Sequence, residues 1–225
     1  MLPKIIALLM LVLPAQLRAE VARRVLGWDI DPTAHIGRSL IMVKHVTMGP
    51  ESSIGPFNVI RGLDELRLGR GATIASRNYI QAHPIAREVL ARQNQAHDPS
   101  LILGDWSKLT VGHEIDASDR VEIGDHAGLV GYRCQILTHS LDLVRDIQIT
   151  SPVVIGEHSA VMSGSILLSG TTVPARSIVS AGSVVTTKLT KEQTFYRGNP
   201  AEAVRELPDL RVFHRDEEAA RRYHL

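Results

Sequence analysis

The chain has 225 residues, 44% of them apolar, which is enough for one folded domain with a sizeable core. Lys and Arg total 25 against 24 Asp and Glu, a net charge of +1 without a basic stripe, and aromatic residues make up only 4%, so a nucleic-acid-binding surface has little support. The single cysteine, Cys134, excludes an intrachain disulfide framework and fits a reducing, cytoplasmic setting.

The first segment, MLPKIIALLMLVLPAQLRAEVARRVLG, has two readings. Lys4 followed by the apolar run Ile5–Leu13 resembles a secretory signal, but no A-x-A cleavage site follows. Nine apolar residues are too few to span a bilayer. The continuation LRAEVARRVLGW keeps a charged helical register, so residues 1–30 are expected to form a retained helical segment. Such a segment would cover the end of the fold or rest on a membrane surface.

From Ile36 an aliphatic beat sets in, through Met42, Met48, Ile54, Ile60 and Leu66. It resumes two residues out of phase at Leu68, Ile74 and Ile80, returns at Leu103, Leu109 and Ile115, and shifts again to Ile123 and Leu129. Slips of two read as corner insertions. The larger gaps, residues 81–100 and 139–152, read as loops thrown out of a repeating coil, and loops of that length are usually functional.

The beat is cleanest from Val153 to Thr187, where Ile155, Val161, Leu167, Val173, Val179 and Val185 stand six apart. In a chain that is 44% apolar, that column alone is weak. A second column decides the matter: Ser159, Ser165, Thr171, Ser177 and Ser183 each follow an aliphatic by four. Period six excludes a helix but is a multiple of the strand period of two. Three short strands per circuit predict a β-solenoid over residues 31–190, with aliphatics on the axis and a small residue where the interior narrows. Residues 191–225 form a C-terminal extension, its DEEAARRYHL a short polar helix or tail.

Four residues after an aliphatic, where a small side chain is the rule, the beat places Asn58, Asn78, His113 and Arg133. They read as an internal polar ladder, with His113 open to a second role beside an acceptor pocket. His139 stands out among ten histidines because it follows the Gln135–Thr138 strand and opens the second long loop. Its imidazole suits a general base near neutral pH, and Asp142, three residues on, is a candidate to orient it.

Three segments, VEIGDHAGLVGYRCQILTHSLD, SAGSVVT and YRGNPAEAVREL, resemble the hexapeptide-repeat acyltransferases. The resemblance covers about Ile36 to Leu207, and NVIRGLDELRLG and ILTHSLDL are closest to the capsule and lipopolysaccharide O-acetyltransferase branch. It implies an all-β fold, a left-handed parallel β-helix with helical ends, assembled as a homotrimer. It implies acetyl-CoA as donor and no metal, with His139 at the catalytic position. Coenzyme A would lie along the last rungs, in the groove between two subunits. The family's contacts fall on Ser163, Ala181, Thr186 and Arg205. The family's lysine after that threonine is replaced by Thr187, with Lys188 next as the candidate phosphate contact.

The implied reaction moves an acetyl group to a hydroxyl of a sugar in surface-glycan biosynthesis. Alternatives are another small acceptor (an amino sugar, amino acid or xenobiotic), a zinc carbonic anhydrase-like site built from His113, His126 and His139, or a non-catalytic scaffold.

Overall fold

The computed structural model describes residues 2–93 and 96–222. Short strands wind into a prism with three faces, every coil pairing in parallel with the next. Face A holds seven strands, from Asp29–Ile30 to Thr172–Val173. Face B holds nine, from His35–Ile36 to the antiparallel pair Thr194–Gly198 and Ala201–Glu206. Face C holds seven, from Leu40–Met42 to Val184–Val185. The chain visits A, B and C in turn, and its backbone bonds run between coils.

The hexad columns are the interior. Ile155, Val161, Leu167, Val173, Val179 and Val185 are all fully buried, and so is the Ser/Thr column beside them. Most of these small hydroxyls tie down a backbone carbonyl: Ser165 Oγ donates to Met162 O at 2.8 Å, and Thr171 Oγ1 to Leu168 O at 2.7 Å. Lower in the coil, face A carries aliphatics at both inward positions, as in Leu66 and Leu68 or Val121 and Ile123. Met42 departs from the expected beat. It is half-exposed and Ile41 points inward instead, because the turn through Gly37–Ser39 is one residue shorter than the period requires.

The polar ladder is continuous along one side of the interior. Ser39 Oγ accepts from Asn58 N at 2.9 Å, Asn58 Oδ1 from Asn78 N at 2.9 Å, and Asn78 Oδ1 from His113 N at 2.9 Å. His113 Nδ1 then accepts from Cys134 N at 3.1 Å. The last rung corrects the sequence reading. Arg133 is exposed with φ 57°, and Cys134 takes the inward place. An irregularity where Val111 pairs with Tyr132 adds a residue at this turn and moves the register by one.

The N-terminal segment forms two helices, α1 (Leu2–Leu9) and α2 (Ala15–Leu26), separated at Pro14. They lie on the open end of the first coil and bury Ile6, Ala7, Met10 and Ala22 there. The buried Arg18 fastens them, donating to Met10 O at 3.1 Å, Leu13 O at 2.7 Å and Ile36 O at 3.2 Å. No helix among the described residues is long and apolar enough to cross a membrane.

Both long gaps leave face C and return to face A, so they emerge at the same corner, CA. The first carries helix α3 (Pro84–Arg92), and the second is a hairpin pairing His139–Asp142 with Ile147–Thr150. One coil separates them, and α3 lies against the returning hairpin strand. At the far end, Thr194–Gly198 pairs with Ile178–Val179 and so continues face B, with Tyr196 buried in the core. Beyond the hairpin, a 3-10 turn at Arg211–His214 and helix α4 (Glu217–Arg221) close the chain; the last residues of the tail expectation, 223–225, lie outside the described residues.

Candidate active site

His139 stands where the hairpin leaves the coil, and its ring is fixed from the coil below. Asp116 ends the strand Glu114–Asp116, next to Gln135–Leu137 on face C. Its Oδ2 lies 2.5 Å from His139 Nδ1 and also accepts the backbone amides of Thr138 (3.1 Å) and His139 (3.0 Å). Its Oδ1 accepts from Ser118 N at 3.1 Å and Ser118 Oγ at 2.6 Å. A carboxylate with this many donors is ionised and cannot itself donate. Nδ1 therefore carries the proton, and in the neutral ring Nε2 offers a lone pair that no described residue occupies.

The base of the hairpin is equally constrained. Thr138 O accepts from Ser151 N at 3.0 Å and from Ser169 Oγ at 2.9 Å, while Thr138 Oγ1 donates to Asp116 O at 3.0 Å. Thr138 and Asp116 are buried, whereas about a third of the His139 side chain (32%) reaches solvent. The hydrogen bond from Asp116 holds the His139 imidazole above the ordinary histidine pKa, against the opposing effect of burial. Burial pushes the Asp116 carboxyl upward, but the hydrogen bonds from His139 and Ser118 outweigh it and leave Asp116 below the usual carboxylate value. This is the electrostatic arrangement of a base that gains a proton while its partner keeps the resulting charge paired.

Asp142 sits elsewhere than the sequence suggested. It lies three residues along the hairpin strand, and its Oδ1 accepts the turn amides of Val144 (3.0 Å) and Arg145 (3.1 Å). It shapes the hairpin tip, and Asp116 does the orienting. Asp116 escaped the sequence reading because its contact crosses a coil, 23 residues away.

His83 is a second residue that the sequence reading missed. It opens the first excursion at the same corner, with its ring centroid 6.1 Å from that of His139. His83 N donates to Ser118 Oγ at 3.0 Å, so one serine links His83 to the Asp116 carboxylate. The available signal was that both long gaps begin at equivalent places on face C.

His113 is fully buried. Nδ1 accepts from Cys134 N, Nε2 meets Thr110 Oγ1 at 3.0 Å, and Thr110 Oγ1 also reaches Gly131 O at 2.6 Å. Burial pushes its pKa down to about 4. A neutral ring with both nitrogens engaged belongs to the ladder and has no surface on which to meet an acceptor. The three histidines of the zinc alternative are equally dispersed: His113 inside, His126 at the corner between faces A and B, and His139 at CA. Among the described residues no three His, Cys, Asp or Glu side chains converge as a metal site.

No protein-family model matches the chain, and no curated protein matches it. Solved structures do. A UDP-N-acetylglucosamine acyltransferase from Campylobacter jejuni superposes with a TM-score of 0.58 at 15% identity, over 88% of this chain and 73% of that one. A hexapeptide-repeat acetyltransferase from Vibrio cholerae, complexed with acetyl-coenzyme A, gives 0.50 at 20% identity, over 92% and 86%. The chain has the hexapeptide-repeat acyltransferase fold.

On that hexapeptide-repeat frame, the candidate donor residues are spread over two corners, face A and the last hairpin. Ser163 and Ala181 follow successive face B strands and so stack at the BC corner, one coil apart, where Gly182 N donates to Ser163 O at 2.9 Å. Ser163 Oγ also accepts from Tyr132 N at 3.0 Å. Thr186 follows Val184–Val185 on face C, which puts it at the CA corner above His139. Lys188 bridges Thr172 on face A. Arg205 lies on the last hairpin strand, its guanidinium 5.4 Å above the Phe195 ring. Within one chain, His139 and the Ser163–Ala181 pair therefore belong to different corners.

Proposed function

We propose that the protein is an acetyl-CoA-dependent acyltransferase whose acceptor is a hydroxyl of a sugar, with His139 as general base. The His139–Asp116 contact carries this reading: a part-exposed imidazole, in one tautomer, with Nε2 available and a buried carboxylate behind it. The acceptor hydroxyl gives its proton to Nε2 as its oxygen attacks the thioester carbonyl. The tetrahedral oxyanion is held by backbone N–H groups. Collapse breaks the carbon–sulfur bond, and the imidazolium returns the proton to the departing thiolate of coenzyme A.

Three further observations support the donor and the assembly. The V. cholerae structure of the same fold was solved with acetyl-coenzyme A. The separation of His139 from Ser163 and Ala181 by one prism edge suits a site completed by a second copy, in which one subunit's CA corner faces its neighbour's BC corner. The hairpin tip supports the same reading, since Leu143 and Val144 are 83% and 96% exposed in the single chain. For the acceptor, the C. jejuni enzyme of this fold acylates a nucleotide sugar.

The test is a panel of sugar and amine acceptors with acetyl-CoA, scored by coenzyme A release and by the mass of one added acetyl group on the acceptor. Acetylated sugar supports the proposal. Acetylation confined to amines moves the protein to the N-acyl alternative.

A further inference from the structure

On the opposite side of the prism from the hairpin, the AB corner and face B enclose a hollow of about 260 Å³. Its floor is an outward column of face B in which Lys108, Gly128, Ala160 and Ile178 are register partners. Two consecutive small residues, Gly128 and Ala160, leave a gap between the longer side chains. Val212, Phe213 and Ala220 of the C-terminal segment roof it, so the extension makes a chamber of what would otherwise be an open face.

One end of the chamber is polar. Corner residues of successive coils, His126 (φ 56°) and His158 (φ 55°), project side by side with ring centroids 4.7 Å apart and an interplanar angle of 6°. Among the described residues His158 Nδ1 is buried without a hydrogen-bond partner, which a satisfied structural histidine would have. Arg215 and Lys108 line the same space. Burial lowers the Lys108 pKa, and the charge of Arg215 lowers it further. Burial and then His158 lower that of His126, with Arg215 acting in the same direction. Asp125 and Asp105 oppose this at His126, but each already accepts a corner amide: Asp125 Oδ1 from Asp105 N at 2.7 Å, and Asp105 Oδ1 from Arg70 N at 2.8 Å. The chamber thus combines apolar walls, two cationic side chains in its lining and an unused buried nitrogen. An anion would satisfy all three, and the nearby aspartates favour one charge over two.

We propose that this chamber binds a small organic anion, an apolar ring or short chain bearing a single carboxylate, with the carboxylate at His158, His126 and Arg215 and the body over Gly128 and Ala160. The site is separate from the acyl-transfer corner and does not depend on that reading.

The test uses the full chain near pH 7, with the histidine ring protons followed by NMR during titration with benzoate and, in parallel, with benzyl alcohol. Benzoate is expected to shift His126 and His158 saturably and to bind at least tenfold more tightly than the alcohol. Ala160→Leu, which fills the gap, is expected to abolish the shifts, and Arg215→Ala to weaken binding at least tenfold. The Arg215 variant alters a surface segment, so it remains informative if Ala160→Leu fails to fold. Shifts that never saturate, equal binding of the alcohol, or binding unchanged in Arg215→Ala would overturn the proposal. Displacement of benzoate by acetyl-CoA would assign the chamber to the donor groove and overturn it as a separate site.

Discussion

Replacing Asp116 with Asn keeps the shape of the side chain and removes its charge. In the native protein that carboxylate is nine-tenths buried and accepts His139 Nδ1 at 2.5 Å, so in the proposed mechanism it steadies the positive charge that the ring would gain from the acceptor's proton. A charge-assisted hydrogen bond of this kind contributes about 1.5–3 kcal/mol. Since about 1.4 kcal/mol is tenfold in rate, kcat/KM on the alkaline plateau should fall roughly 10- to 150-fold. The pH profile must change too. Asp116 holds the His139 pKa above its ordinary value, so the acid limb, where the base becomes protonated, should move to lower pH in the Asn variant. The assay is coenzyme A release from acetyl-CoA at acceptor concentrations well below KM, between about pH 5 and 9. An acid limb that stays in place in Asp116→Asn would refute the coupling, even if the rate fell.

The same shift has a consequence for stability. A group whose folded pKa is raised contributes stability that is fully present below its unfolded pKa and is lost as pH rises through the folded value. The melting advantage of the native chain over His139→Gln should therefore be greatest below about pH 6.5 and shrink above the folded pKa, as followed by circular dichroism. Asn78→Ala removes the side-chain donor to Thr110 O and the acceptor of His113 N, two groups in the buried ladder, while Asn58 Oδ1 keeps only the Asn78 backbone amide. Urea unfolding should show a loss of about 3–5 kcal/mol, against about 0.5 kcal/mol or less for the exposed Arg133→Ala. Asp142→Asn should change kcat/KM by less than about threefold and leave the acid limb in place, because its carboxylate serves the amides of Val144 and Arg145.

The coil was legible because its constraint is local and repeated. In the last coils the axis admits one aliphatic and one small residue per face, which writes itself into every sixth position, and Ile155 to Val185 carry it without exception. Where a turn gains or loses a residue the pattern is displaced by one, which is how Met42 was expected in place of Ile41 and Arg133 in place of Cys134. The hand of the coil came from family resemblance, since period six is compatible with either.

The site was half legible. His139 could be found because it begins an interruption of the beat. Asp116 and His83 could not, since each acts across coils and neither breaks a local rule. Asp142 was favoured by sequence proximity, but three residues along an extended strand carry a side chain to the opposite face and well away from the ring. The stacked His126 and His158 were invisible for a related reason: their spacing follows from two coils separated by the hairpin rather than from any motif.

The most direct test of the central claim compares coenzyme A release by the native chain and His139→Ala, at saturating acetyl-CoA and with an acceptor that the native chain acetylates. If His139 takes the hydroxyl proton, the variant should lose about a hundredfold or more in kcat while remaining folded and retaining its affinity for acetyl-CoA. Acceptor-dependent release at the native rate would show that another group is the base and contradict the assignment of His139 and Asp116.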